Sequence, residues 1–280
     1  MRKTERIAIV GVGLMGGSLG LALRRADSSS RLIGIGRHPG RLKKARLHGA
    51  IHEWTTDLVA GVRGADIVVL CAPVDDVLPL LRRIAPALKP ECLVMDVGSV
   101  KGEISLKAAK VVASFVGTHP MAGSEKTGVA HAKAGLYRGA VCVLTPTGRT
   151  PKKAVLKAQR FWRRVGARPL ILRPEVHDRW VAFISHLPHL AAHSLMLTAR
   201  RVSGGDPRFW SLAAGSFKDM TRVAEADPRQ WNAIFRMNKK EVMNASRLFR
   251  SVMTDLERKG WPVSELSRAQ HARRRLGRSH

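Results

Sequence analysis

At 280 residues the chain has room for one large domain or for two that share a cleft. Hydrophobic residues make up 45% of it and charged residues 25%, as in ordinary globular proteins, and no apolar run approaches the roughly 20 residues needed to cross a bilayer. Forty-nine Lys and Arg against 21 Asp and Glu leave a net charge of +28, but apart from the short cluster Arg273-Arg274-Arg275 with Arg278 the arginines fall as scattered pairs (Arg24-Arg25, Arg82-Arg83, Arg163-Arg164, Arg200-Arg201) without an RNA-stacking motif, so the field suits small anionic ligands better than nucleic acid.

Residues 1–6 run directly into strand-like Ile7-Ala8-Ile9-Val10 with no apolar leader, which predicts a cytoplasmic protein. Cys71, Cys92 and Cys142 are far apart and form no CxxC. They read as buried thiols of a reducing compartment, not as a disulfide or zinc framework. Strands are predicted at residues 7–10, 31–35, 67–71, 93–97, 115–118 and 141–145, and helices between them at 16–26, 39–47, 75–84 and 101–113. A helix at 151–165 and a strand at 168–172 close the set. Strands apolar on both faces and alternating with helices imply an α/β fold, a Rossmann-like doubly wound and mostly parallel sheet.

After Pro174 the pattern becomes helical. Residues 175–202 read as one long apolar helix kinked by Pro188, and further helices follow at 210–225 and 228–259, the last with Asp227 as N-cap and Pro228 at its first position. The expected division is a dinucleotide-binding domain at 1–172 and an all-α substrate and dimerisation domain at 173–280, since such apolar helices need a partner surface.

Gly11-Val12-Gly13-Leu14-Met15-Gly16 spells GxGxxG between a predicted strand and a predicted helix, the context in which the motif means dinucleotide binding. Gly11 permits the tight turn, Gly13 lets the backbone approach a pyrophosphate, and Gly16 lets helix and strand pack closely. The phosphates would then rest on the free N–H groups of the helix start. Gly16-Gly17-Ser18-Leu19-Gly20 also spells the GxSxG of hydrolases, but Ser18 falls inside the helix, not at the strand-to-helix turn where an elbow serine stands. The second strand ends before Gly36-Arg37, where NAD-binding sheets carry an acidic residue for the ribose. Glycine leaves room there for a 2′-phosphate and arginine can pair with it, so NADP is expected ahead of NAD; the other reading is that Arg37 is one more surface arginine.

Three further blocks follow predicted strands: Cys71-Ala72-Pro73-Val74, which places Ala72 and Pro73 beside the cofactor, then Asp96-Val97-Gly98-Ser99-Val100-Lys101, and a block opening at Thr118-His119. His119 can exchange a proton near neutral pH, as oxidation of an alcohol requires, or it can be structural. Ser99 can orient His119, bond a substrate hydroxyl, or cap the following helix. His186, His189 and His193 fall on one helix face, but with no Asp or Glu in the triplet no metal is expected. Arg222 offers the planar fork that a carboxylate substrate wants.

Taken together, Gly11 to Gly16, Asp96 to Lys101, His119-Pro120-Met121-Ala122-Gly123-Ser124-Glu125, Ser185-His186-Leu187-Pro188-His189 and Phe217-Lys218-Asp219-Met220-Thr221-Arg222 resemble the prephenate/arogenate dehydrogenases of tyrosine biosynthesis, in order from about residue 6 to 255. The resemblance implies an NAD(P)-dependent oxidoreductase, homodimeric through its helical domain, that oxidatively decarboxylates prephenate to 4-hydroxyphenylpyruvate or arogenate to tyrosine. It implies that His119 accepts the proton of the ring hydroxyl as hydride leaves, that Ser99 stands beside that hydroxyl, and that Arg222 binds a substrate carboxylate. Glu125, His189 and Trp231 would line the pocket. A 3-hydroxyacid dehydrogenase of the 6-phosphogluconate-like type is an alternative, but it should carry a lysine on the first long helix, and residues 175–202 contain none. A non-enzymatic NADP- or nucleic-acid-binding protein is the other.

Overall fold

The computed structural model describes residues 4–26, 29–123 and 126–276. From the N-terminus its elements are β1 (Arg6–Val10), α1 (Leu14–Ala26), β2 (Arg31–Ile35), α2 (Pro39–Leu47), β3 (Glu53–Thr55), α3 (Leu58–Val62), β4 (Ile67–Leu70), α4 (Val77–Ile84), β5 (Leu93–Asp96), α5 (Gly102–Val111), β6 (Phe115–Pro120), β7 (Val141–Thr145), α6 (Lys152–Arg164) and β8 (Arg168–Ile171). Among the described residues these strands form one eight-stranded sheet in the order β3-β2-β1-β4-β5-β6-β7-β8. All neighbours are parallel except β6 and β7. The expected fold class is therefore the observed one.

Helices cover both faces, which is why the central strands are apolar on both. Leu19 and Leu23 of α1, Leu42 of α2 and Trp162 of α6 belong to one buried layer. Val62 of α3, Leu81 of α4 and Ile104 of α5 belong to the other. Sequence reasoning missed β3 and α3. β3 has three residues, all half-buried, too few to show a period-two pattern; α3 has five, capped by the Asp57 carboxylate accepting from Val59 N and Ala60 N.

The helical part comprises α7 (Pro174–Val181), a π-turn (Ala182–His186), α8 (Leu187–Ser203), α9 (Pro207–Ser211), α10 (Gly215–Thr221), a 3₁₀ turn (Arg222–Glu225), α11 (Pro228–Met237), α12 (Lys239–Arg258) and α13 (Val263–Leu276). The long helix expected at 175–202 is interrupted before Pro188, not at it. Pro188 has no N–H to give to the preceding turn, and the chain passes that point through the wider π-turn. The helix expected at 228–259 breaks at Asn238, whose buried side chain is engaged elsewhere. The start at Asp227-Pro228 is as expected, with the Asp227 carboxylate accepting from Arg229 N at 2.8 Å. Helix α13 was not anticipated and buries none of its side chains.

Two features of the packing matter for the site. Trp231 and Ile234 of α11 are buried in the second core layer of the sheet, so the helical part packs against the same face of the sheet as α4 and α5. Leu195, Leu197 and Val202 of α8 and Leu248, Phe249, Val252 and Met253 of α12 remain exposed. No described helix is long and apolar enough to cross a membrane.

Candidate active site

The turn between β1 and α1 shows what each glycine does. Gly11 has φ +93°, and a Cβ there would stand 2.3 Å from the Cys71 carbonyl oxygen. A Cβ on Gly16 would stand 2.1 Å from the Gly11 carbonyl oxygen. A Cβ on Gly13 would meet nothing within 4 Å, so the backbone there faces open space. Helix α1 begins at Leu14, two residues before the expected start, which puts Leu14 and Met15 in the first turn. Ser18 is fully buried and its hydroxyl accepts from Lys133 N at 3.0 Å, as suits a packing residue and not a nucleophile.

This turn opens on a cleft of about 950 Å³ lined by Gly11, Gly13, Gly36, Arg37, Ala72 and Pro73, with Cys71, half-buried, among them. A Cβ on Gly36 would meet only Leu42, at 3.4 Å and beyond. Packing therefore does not demand glycine at the end of β2, and the side-chain space is left to the cleft.

His119 lies within β6, opposite Val143 of β7, and not in the loop after it. Its ring is buried. The Nδ1 atom is met at 2.8 Å by Nε2 of His177 on α7, and not by Ser99. His177 Nδ1 is in turn 2.8 Å from Asp178 Oδ1. Asp178 also accepts from Lys101 N and Gly102 N at 2.7 Å each, which caps α5 from another helix. Capping by Ser99 is thereby corrected: α5 starts three residues after it, and a remote carboxylate supplies the cap. Ser99 is half-buried, and its backbone lies beside the His186 ring.

Under His119 lies an ion pair with no exposure at all, the Lys101 ammonium against the Asp96 carboxylate. Asp96 also accepts from Gly98 N at 2.9 Å and Thr118 N at 3.1 Å. These bonds tie the ends of β5 and β6 together, and they satisfy charges that would otherwise be too costly to bury. Burial, and then the proximity of His177, Lys101 and His186, holds the His119 imidazole well below its ordinary pKa. It is neutral at pH 7 and able to accept a proton.

The helical part supplies the opposite wall. His186, in the π-turn, is fully buried, with Nδ1 3.2 Å from Asn238 Nδ2, and that amide donates to the Asp178 carbonyl at 2.9 Å. Burial lowers the His186 pKa to about 4. His189 stacks on Trp231 with ring centroids 3.4 Å apart. Burial first, then His193 and Arg222, lower its pKa to about 4 as well. Arg222 is exposed at the start of the 3₁₀ turn. The structure thus brings His119, His189, Trp231 and Arg222 to one region, whereas Glu125 lies outside the described residues. His177, Asp178 and Asn238 were not singled out from sequence. No local signal marks them, because most of their partners lie 52 to 77 residues away in the chain.

The family description "Prephenate dehydrogenase, nucleotide-binding domain" matches residues 19–171 and "Prephenate dehydrogenase, dimerization domain" matches 173–259. The chain belongs to the prephenate dehydrogenase family. A prephenate dehydrogenase of Bacillus subtilis is 35% identical over 244 residues, 86% of this chain and 66% of that protein; the chain thus spans just under two thirds of that relative's length. The crystal structure of prephenate dehydrogenase from Aquifex aeolicus, in complex with hydroxyphenyl propionate and NAD+, is 33% identical with a TM-score of 0.92, covering 98% of this chain and 99% of that one. Synechocystis arogenate dehydrogenase is 30% identical with a TM-score of 0.81, covering 97% and 99%.

Proposed function

We propose that the chain catalyses the NAD(P)-dependent oxidative decarboxylation of prephenate to 4-hydroxyphenylpyruvate, or of arogenate to tyrosine. The observation that carries this is an order in space. Along the carboxyl edge of β2, β1, β4, β5 and β6, as they neighbour one another, stand Arg37, the Gly11–Gly16 turn, Ala72-Pro73, Ser99 and His119. That is the sequence adenosine, pyrophosphate, nicotinamide and substrate that a dinucleotide laid across a switch point requires. The relatives named above act on these two substrates, and the Aquifex protein binds NAD+.

The residues fit such a cofactor. Gly11 makes the turn, Gly13 opens the backbone to a pyrophosphate, and the first turn of α1 at Leu14 and Met15 offers free N–H groups. When bound, the nicotinamide accepts the hydride from the substrate carbinol. The finer choice is NADP over NAD: Gly36 leaves space, and Arg37, Arg41 and Lys44 surround it with positive charge.

His119 takes the hydroxyl proton, Ser99 bonds the same hydroxyl, and Arg222 holds a carboxylate. His189 and Trp231 form a flat wall, and Glu125 completes the pocket. Loss of the ring carboxylate as CO₂ then leaves an aromatic ring. We assign residues 1–172 to the cofactor and 173–280 to substrate and to a homodimer whose contact is the exposed apolar face of α8 and α12.

The test is a spectrophotometric assay of reduced-cofactor formation with prephenate and with arogenate, each with NADP and with NAD, on the wild type and on Arg37→Ala. Turnover of at least one substrate is expected, with Arg37→Ala raising KM for NADP and leaving that for NAD. Wild-type preference for NAD sinks the assignment of Arg37; no turnover in any arm sinks the reaction.

A further inference from the structure

His119 has two ring nitrogens, and a neutral imidazole accepts a proton only at the one without hydrogen. The surroundings decide which one that is. Asp178, as a carboxylate, can only accept hydrogen bonds. Its Oδ1 receives Lys101 N–H and its Oδ2 receives Gly102 N–H. His177 Nδ1, at 2.8 Å from Oδ1, must therefore be the donor of that contact. A neutral His177 then presents a bare Nε2, and the 2.8 Å contact to His119 can form only if His119 Nδ1 carries the hydrogen. The remaining nitrogen, His119 Nε2, is left with its lone pair.

We propose that His177 and Asp178 are positioning residues that hold His119 in the tautomer protonated at Nδ1, which makes Nε2 the atom that takes the substrate hydroxyl proton. This rests on the oxidoreductase reading above for its purpose, but not for its geometry. As the carbinol C–H pair leaves as hydride, the O–H bonding pair becomes the second bond of the carbonyl, and the proton goes to His119 Nε2. The resulting imidazolium donates Nδ1–H to His177, whose own Nδ1–H already points at Asp178. The new positive charge is thus faced by a chain of dipoles that ends on a carboxylate, and no proton has to travel along it.

The chain of bonds has one alternative direction, in which His177 is protonated and donates to a bare His119 Nδ1. Burial of His177 opposes that state, lowering its pKa in spite of Asp178. The charged and titratable groups facing His119 are His177 and Asp178 from α7, Lys101 and Asp96 beneath it, His186 from the π-turn, and Cys142 from β7. Of these only His177 bonds its ring. The free tautomer of histidine in water carries its hydrogen mainly on the other nitrogen, so without this pair the base would be turned the wrong way for most of the time.

Ring nitrogen NMR reads the tautomer directly. In the full chain labelled with ¹⁵N-histidine at pH 7.5 without substrate, His119, assigned by its disappearance in His119→Asn, should show a pyrrole-type Nδ1 and a bare, pyridine-type Nε2. His177→Gln keeps an oxygen that can accept from His119 Nδ1 and should preserve that pattern with most of kcat. His177→Leu should move the pattern toward hydrogen on Nε2 and lower kcat by ~10–100-fold, by analogy with loss of the partner that orients a metal-ligating histidine, with KM for the cofactor unchanged. A wild-type spectrum with hydrogen on His119 Nε2 overturns the proposal even if the Leu variant does not fold, and so does a Leu variant whose His119 pattern matches wild type. Absence of turnover in wild type strikes the reaction assignment instead and leaves the spectral result standing.

Discussion

An imidazole in water is half protonated near pH 6.5, a poor setting for a base that must be free at neutral pH. His119 escapes this through burial and through the neighbouring His177, Lys101 and His186. The direction of the shift has a consequence for rate. The basic form is lost only below the depressed pKa, so the acid limb of kcat/KM should lie below pH 6.5, on the acid side of ordinary histidine. His119→Asn should keep fold and cofactor affinity while losing that limb and ~10²–10⁴-fold in kcat. Near-normal turnover in His119→Asn, or a wild-type limb at or above pH 6.5, would remove His119 from the proposed role of base. Arg222 is the contrasting case at this scale. Its side chain is exposed, and its proposed role rests on its closeness to His189.

Helix α1 shows an element shaped by what it must approach. The run Gly16-Gly17-Ser18-Leu19-Gly20 that imitates a hydrolase elbow is a packing surface: a Cβ on Gly20 would stand 2.0 Å from the Ala50 carbonyl oxygen, a backbone atom that cannot swing aside. Gly20→Ala should lower stability by about 1–3 kcal/mol through overpacking. Gly40→Ala in α2, where a Cβ meets nothing within 4 Å, should raise it by about 0.4–1 kcal/mol. Denaturant midpoints that move in the same direction for both would contradict this reading. Elements of this kind were legible in sequence because their signals are local: the glycine fingerprint, the apolar β-runs, Asp227-Pro228. What escaped is non-local or too short. Glu53–Thr55 has no room for a pattern. The pairing of His119 with His177 joins residues 58 apart, and Asp178 caps a helix that starts 76 residues before it. Pro188 announced a disturbance in its helix but not that a π-turn would absorb it.

At the scale of the whole molecule, two kinds of positive charge act in the same direction on acidification. A net charge of +28 already repels itself across the surface, and the buried histidines of the site resist acquiring more. His186 illustrates the sign. Unfolded, its pKa returns to about 6.5; folded, it is about 4. Between those values the unfolded chain binds a proton that the native state refuses, so stability falls as pH drops below 6.5 and the loss levels off near pH 4. For His186 alone the full loss is about 3 kcal/mol, and His119, His177 and His189 shift in the same direction. Salt separates the two contributions, because exposed charges are screened over roughly 8–10 Å whereas buried groups are not. Denaturant midpoints measured from pH 7.5 to 4 should therefore fall below pH 6.5, and added sodium chloride should lift the whole curve while leaving the fall in place. His186→Gln, whatever its stability at pH 7.5, should show a shallower fall. A curve that becomes flat in high salt would mean that surface repulsion alone destabilises the protein in acid and that the buried histidines titrate normally.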